Sequence, residues 1–192
     1  MSDPIMFIPR MVEPKGINKQ AIPNRDKIRE YCFDDEHDVR VEEQPLIIEH
    51  PLLLYPGSGC DIFHPLLHVE QLFPSLQKIT FHFIDQDNYL AMIKTMLDDV
   101  GVHFAQDKQQ LQFWWHDLFV TLHFQIANAF SLTLPKHHIY FEKSFTIMKE
   151  EFCPEFDERV LDALHEKGII ISDSDHSETF HTKREGKKIQ FI

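Results

Sequence analysis

The sequence is short of cysteine. Cys32, Cys60 and Cys153 are the only three in 192 residues, and they are widely separated. An odd, scattered set excludes a disulfide framework and fits free thiols in a reducing compartment. Positive charge is scarce too: 19 Lys and Arg stand against 31 Asp and Glu, a formal net charge of −12. A nucleic-acid surface needs concentrated basic residues, so nucleic acid is not the expected partner. The local exception near the C-terminus, Lys183, Arg184, Lys187 and Lys188, reads as a solvated hairpin around Glu185-Gly186. No apolar run approaches the ~18 residues that suggest a membrane span. Met1 to Arg10 lacks the basic-then-apolar plan of a secretory signal. No internal repeat or low-complexity tract is present. These absences predict a cytoplasmic protein.

What is there is ordinary in amount and uneven in placement. Hydrophobic residues make up 43% and phenylalanine alone counts 17, which predicts one bulky aromatic core. Residues 1–45 are rich in proline and charge and form a lead-in, with a short helix from about Asn24 to Cys32. Asn24 is its N-cap, and Ile28, Tyr31 and Cys32 share a face. The acidic stretch Asp34-Asp35-Glu36-His37-Asp38 should be solvated. Residues 46–192 form the folded domain.

That domain starts at Leu46. Pro51 interrupts the first apolar run and leaves Leu52 to Tyr55 as the continuous strand. A glycine-rich turn follows, Tyr55-Pro56-Gly57-Ser58-Gly59-Cys60-Asp61. The next stretch, Ile62 to Phe73, has apolar residues at helical spacing and Asp61 placed as N-cap. Residues 79–85, rich in β-branched and aromatic side chains, make a second strand ending in Asp85. Tyr89 to Val100 is a second helix stopped by Gly101. Strand, helix, strand, helix with short joins predicts an α/β fold: a Rossmann-like, mostly parallel sheet with helices on both faces. The aromatic stretch 111–130 breaks the rhythm and reads as an antiparallel addition, a hairpin turning near Asp117. Alternation there sends one of Trp114 and Trp115 inward and the other outward. Residues 137–145 are a further strand, Phe156 to Glu166 a further helix, and Gly168 ends it before a buried strand.

Glycines after the first strand let the backbone approach a ligand, and the following helix N-terminus offers free amides. Asp85 or Asp87 at the tip of the next strand supplies acceptors for ribose hydroxyls. The 26-residue spacing from Gly59 to Asp85 is slightly longer than the ~20 of dinucleotide folds. A NAD-type fingerprint wants a third glycine where Ile62 stands, and no Gly-Lys-Ser/Thr ending marks a P-loop. LLLYPGSGCD instead resembles the first motif of the class I S-adenosylmethionine-dependent methyltransferases. FHFIDQDNYLAMIKTML resembles their second strand, ribose-binding acid and following helix, and LHEKGIIISDSD the segment after their fourth strand. The resemblance covers residues 46–175. It implies a methyltransferase with S-adenosylmethionine as cofactor and an unassigned acceptor. It also implies cofactor contacts from Tyr55, Gly57, Ser58, Gly59, Asp61, Asp85 and Gln86, with Asp117 near the adenine amine. Tyr55 stands where the family has an acid, Asp61 where it has a third glycine. Residues 142–145 show no Asn-Pro-Pro-Tyr signature.

Two other classes stay open. A degenerate Rossmann-like scaffold can serve as a binding or interaction module without catalysis. Alternatively, Cys60, His64 and His68 recur every four residues and can share a face as metal ligands. Cys60 at a helix N-terminus can also act as an activated thiol beside His64.

Overall fold

The strands form one eight-stranded sheet. The structure is a computed structural model describing residues 9–36, 48–173 and 188–191. In chain order the elements are α1 (Arg25–Glu36), β1 (Leu52–Pro56), α2 (Phe63–Leu72), β2 (Lys78–Asp85), α3 (Leu90–Asp99), β3 (Phe104–Asp107), β4 (Gln110–Trp115) and β5 (Leu118–Ile126). A 3-10 turn (Ala129–Ser131) leads to β6 (His137–Glu142), α4 (Thr146–Phe152), α5 (Phe156–Ala163), β7 (Leu164–Ser172) and β8 (Lys188–Phe191).

The sheet order is β3-β4-β5-β2-β1-β6-β7-β8. Six strands run parallel, from β5 through β2, β1, β6 and β7 to β8. β3 and β4 add an antiparallel pair at one edge. The fold is therefore mixed α/β on one mostly parallel sheet. From β1 the chain works outward to β2 and β5; from β6 it works the other way to β7 and β8. The order thus reverses between β1 and β6, at the middle of the sheet.

Strand alternation splits the core into two layers. Leu53, Tyr55, Ile79, Phe81, Phe83, Ile139, Phe141, Ile169 and Ile171 face one side, where α1, α2 and α3 cover them. Leu54, Ile84, Tyr140 and Ile170 face the other, packed by α5 and by Phe145, Ala129 and Leu134. Helices thus lie on both faces, but the second layer is partial. On that face of β2, β4 and β5, Thr80, His82, Gln112, Trp114, Phe119, Thr121 and Gln125 are half-exposed and His123 is exposed. The connection from β5 to β6 holds only the 3-10 turn where a covering helix would sit.

Trp115 is buried and Trp114 is half-exposed, as alternation required, with its ring tilted against Phe119 and Lys19 over its face. The lead-in straps onto the first layer. Asn24 caps α1 by accepting from the amides of Asp26 and Lys27, and Ile28 and Cys32 enter the core. The Arg10 guanidinium bridges Asp98 and Asp99 at the end of α3, and the Asn24 amide bonds Val100.

Two expectations need correction. The helix expected to reach Glu166 ends at Ala163, and β7 begins at Leu164 with a register irregularity against β6. Gly168 does not end a helix: it lies inside β7, with the Leu164 side chain folded onto it, closer than any Cβ there would allow. The hairpin expected around Glu185-Gly186 lies outside the described residues. β8, beyond it, pairs parallel with β7. Among the described residues no helix is long and apolar enough to cross a membrane.

Candidate functional site

The turn after β1 sits where the sheet order reverses, at the carboxyl edge of the parallel strands. Ligands of open α/β sheets bind there. Gly57 and Gly59 both have positive φ, 64° and 53°, a region costly for any residue with a Cβ. The Gly57 amide bonds the Ile84 carbonyl at 2.8 Å, tying the turn to the tip of β2. The Gly59 amide donates to Asp85 Oδ2 at 2.9 Å, and the Asp87 amide donates to Asp85 Oδ1 at 3.2 Å. Each carboxylate oxygen accepts about two hydrogen bonds, so among the described residues one site on each remains for a ligand. Asp85 is half-exposed and Gln86 exposed, and among the described residues nothing comes within 4 Å of a Cβ built on Gly59. This half of the turn is open.

The other half is covered. A Cβ on Gly57 would meet the Phe145 ring at 2.5 Å and 2.6 Å. Phe145 follows β6 and is buried, stacked on Phe130 at 5.4 Å and meeting Phe156 edge-on. The missing side chain of Gly57 therefore admits an aromatic ring of the protein itself, over the crevice between β1 and β6.

Below the turn runs a chain of polar groups. The buried Tyr55 hydroxyl donates to Asp61 Oδ2 at 2.9 Å. Burial and the Asp61 charge hold that phenol well above its ordinary pKa, so it stays a donor. Asp61 Oδ1 accepts the His64 amide at 3.2 Å, capping α2, and lies 2.8 Å from His64 Nδ1. Lys143 Nζ lies 3.1 Å from His64 Nε2. An ammonium only donates, so Nε2 accepts and the ring proton sits on Nδ1, facing Asp61. Tyr55 and Asp61, the two departures from the methyltransferase pattern, thus bond each other. Ser58 is buried in the turn, where its carbonyl accepts the Asp61 amide at 3.0 Å.

Seven of the eight residues expected at the cofactor therefore gather at one edge; Asp117 does not. It lies in the β4–β5 turn, just before Leu118, and β5 runs parallel to β2 with Phe119 beside Lys78 and Ile126 beside Asp85. At ~3.3 Å per residue, Asp117 is roughly 25 Å away, at the amino edge.

Cys60, His64 and His68 do not converge. His64 is taken up by Asp61 and Lys143. His68 Nδ1 bonds the His64 carbonyl at 2.7 Å, with its ring against Phe141. No group of three or more His, Cys, Asp or Glu positioned for a metal occurs among the described residues. Burial and the Asp61 carboxylate push the Cys60 thiol up rather than down, so the activated-thiol expectation fails on electrostatics.

Sequence reasoning missed a buried cluster beside the turn. Glu142, fully buried at the tip of β6, accepts from Tyr140 at 2.7 Å, Ser172 at 2.6 Å and Lys149 at 2.9 Å. Lys149 also bonds Asp157 at 2.7 Å. The one available signal was Glu142 itself, a carboxylate directly after the run Ile139-Tyr140-Phe141.

No protein-family model and no curated protein sequence matches the chain.

Proposed function

We propose that this chain is a Rossmann-like protein that binds S-adenosylmethionine at the carboxyl edge of its sheet and transfers the methyl group to an acceptor. The observation that carries the reading is the meeting of Asp85 with Gly59 at the tips of two neighbouring parallel strands. Counted along the parallel strands alone, the sheet order is 3-2-1-4-5-6, that of the dinucleotide-binding α/β folds. The residues suit a nucleoside. Among the described residues, Asp85 has an unused acceptor site on each oxygen for ribose hydroxyls, and the space beside Gly59 is open.

The cofactor, when bound, supplies an electrophilic methyl on its sulfonium. Displacement at that carbon needs alignment more than a general acid. Asp85 and the turn hold the nucleoside. The Tyr55–Asp61–His64 chain fixes the start of α2 beneath it.

The Phe145 ring on Gly57 favours a second reading, a nucleoside-binding module without methyl transfer. Calorimetric titration with S-adenosylmethionine, its demethylated product and adenosine separates the two. Under the first reading both sulfur-bearing ligands bind more tightly than adenosine, and Phe145→Ala widens the difference. Equal binding of all three supports the second. No binding of any at millimolar concentration removes both.

A further inference from the structure

At the amino edge, on the far side of the molecule from the glycine turn, α1, the end of α2 and the β4–β5 turn border a half-open cavity of about 610 Å³. Small-molecule sites span about 300–1,000 Å³. Its floor is apolar: Ile28, Leu67, Phe73 and Leu118 line it, each buried in the fold, with the Trp115 indole in the wall. Its rim is polar and built. Glu70 Oε1 pairs with Arg25 at 2.6 Å, and Glu70 Oε2 accepts the Trp115 indole N–H at 3.2 Å. Arg25 also donates to His116 Nε2 at 3.2 Å. His116 has φ 51°, a conformation uncommon for a residue with a side chain, and lies on the rim.

One turn along α1, Arg29 lines the same cavity. Its carboxylate contact, Asp26 at 3.6 Å, is a solvent-screened surface pair. An arginine fork beside an apolar, aromatic-walled space matches a carboxylate on an apolar body. Glu70 and Asp117 on the same rim disfavour a doubly charged head group. The volume and the wall both suit a ring system.

We propose that this cavity is a second ligand site, taking a monoanionic aromatic carboxylate whose ring sits over the apolar floor beside the edge of the Trp115 indole and whose carboxylate is held by Arg29. The site is independent of the glycine turn and stands whether or not that turn binds a nucleoside.

The chain has two tryptophans, so two indole N–H signals, and Trp114→Phe identifies that of Trp115. Naphthoate is titrated into the nitrogen-15-labelled full chain, beside naphthalenemethanol, which has the same rings without the charge. The Trp115 indole signal shifts saturably with naphthoate, at an affinity about tenfold above that of the alcohol. Arg29→Gln, on an exposed helix position, abolishes the preference while leaving the spectrum folded. Three outcomes each overturn the proposal: no saturable shift at millimolar naphthoate, equal affinity for acid and alcohol, or a preference that survives Arg29→Gln. Shifts confined to the Gly57–Gly59 amides would place the ligand at the other edge and overturn it as well.

Discussion

The Asp85 carboxylate accepts a hydrogen bond from the Gly59 amide at 2.9 Å across 26 residues of sequence. Its second oxygen accepts the Asp87 amide at 3.2 Å. One side chain at the tip of β2 therefore organises both its own turn and the turn after β1. Those two turns flank the open half of the carboxyl edge, so shaping the edge and binding a ligand there are two uses of one carboxylate. The Tyr55–Asp61–His64 chain anchors the turn from below.

Asp85→Asn separates these uses only partly. The amide keeps one acceptor oxygen but turns an N–H₂ toward one of two backbone donors. Stability should fall by about 2 kcal/mol, the scale of charge-assisted hydrogen bonds, read by urea unfolding. Nucleoside affinity should fall more than tenfold by calorimetry. A variant that loses stability but binds S-adenosylmethionine as before would confine Asp85 to shaping the turn.

The two glycines of the turn should respond differently to alanine. At Gly59 a Cβ meets nothing within 4 Å, so Gly59→Ala carries only the positive-φ cost, about 1 kcal/mol. At Gly57 the same φ cost is joined by a collision with Phe145, and about 2–4 kcal/mol should be lost. In a Phe145→Ala background the second part disappears. A double-mutant cycle measures it, and additive costs for Gly57→Ala and Phe145→Ala would mean that the ring yields freely.

Local chemistry made much of this fold readable. Asn24 reads as a cap because its short side chain reaches the next amides, the Leu52 strand reads from an apolar run, and the strand from Ile79 to Asp85 from β-branched and aromatic residues. What stayed hidden depends on partners distant in sequence. Leu164 to Lys167 has helical composition, yet Leu164 pairs with His137 of β6 and the chain stays extended through an irregularity until pairing resumes at Ile169. α4 inverts the usual pattern: Ile147 and Phe152 face outward and Lys149 is buried against Glu142. Asp117 was read as a family contact from its sequence position. The direction of β5, set by its parallel pairing with β2, carries it to the opposite edge.

The Glu142 cluster should behave as a buried ion pair does. Glu142→Ala removes the acceptor shared by Tyr140, Lys149 and Ser172 and leaves an ammonium in the interior with Asp157. The expected loss is about 3–5 kcal/mol, because taking one partner out of a buried ion pair leaves the Tyr140 and Ser172 hydroxyls without this acceptor and the ammonium with Asp157 alone of the two carboxylates. Glu142→Gln combined with Lys149→Met removes both charges at similar volume and should lose less than the single alanine. If the double variant is the less stable in denaturant unfolding, the pair contributes more through attraction than its desolvation costs.

Acid sensitivity should trace in part to His68. Its ring is buried against Phe141, and Nε2 has no hydrogen-bond partner among the described residues; burial lowers its pKa from 6.5 to about 4. A group whose folded pKa is depressed binds its proton better in the unfolded chain. His68 therefore imposes no penalty above about pH 6.5, and stability is lost as pH falls from there toward about 4. Over the whole window the loss is about 3 kcal/mol, of which about 2 kcal/mol falls between about pH 7 and about pH 5. His82 and His138 are lowered by burial as well and add to the slope. The test is accordingly a difference. The stability of the wild-type protein minus that of His68→Leu, from urea unfolding at several pH values, should decline on acidification by that amount. Parallel curves for the two proteins would mean that the His68 ring reaches water when protonated, and that the buried imidazole is not the group that titrates.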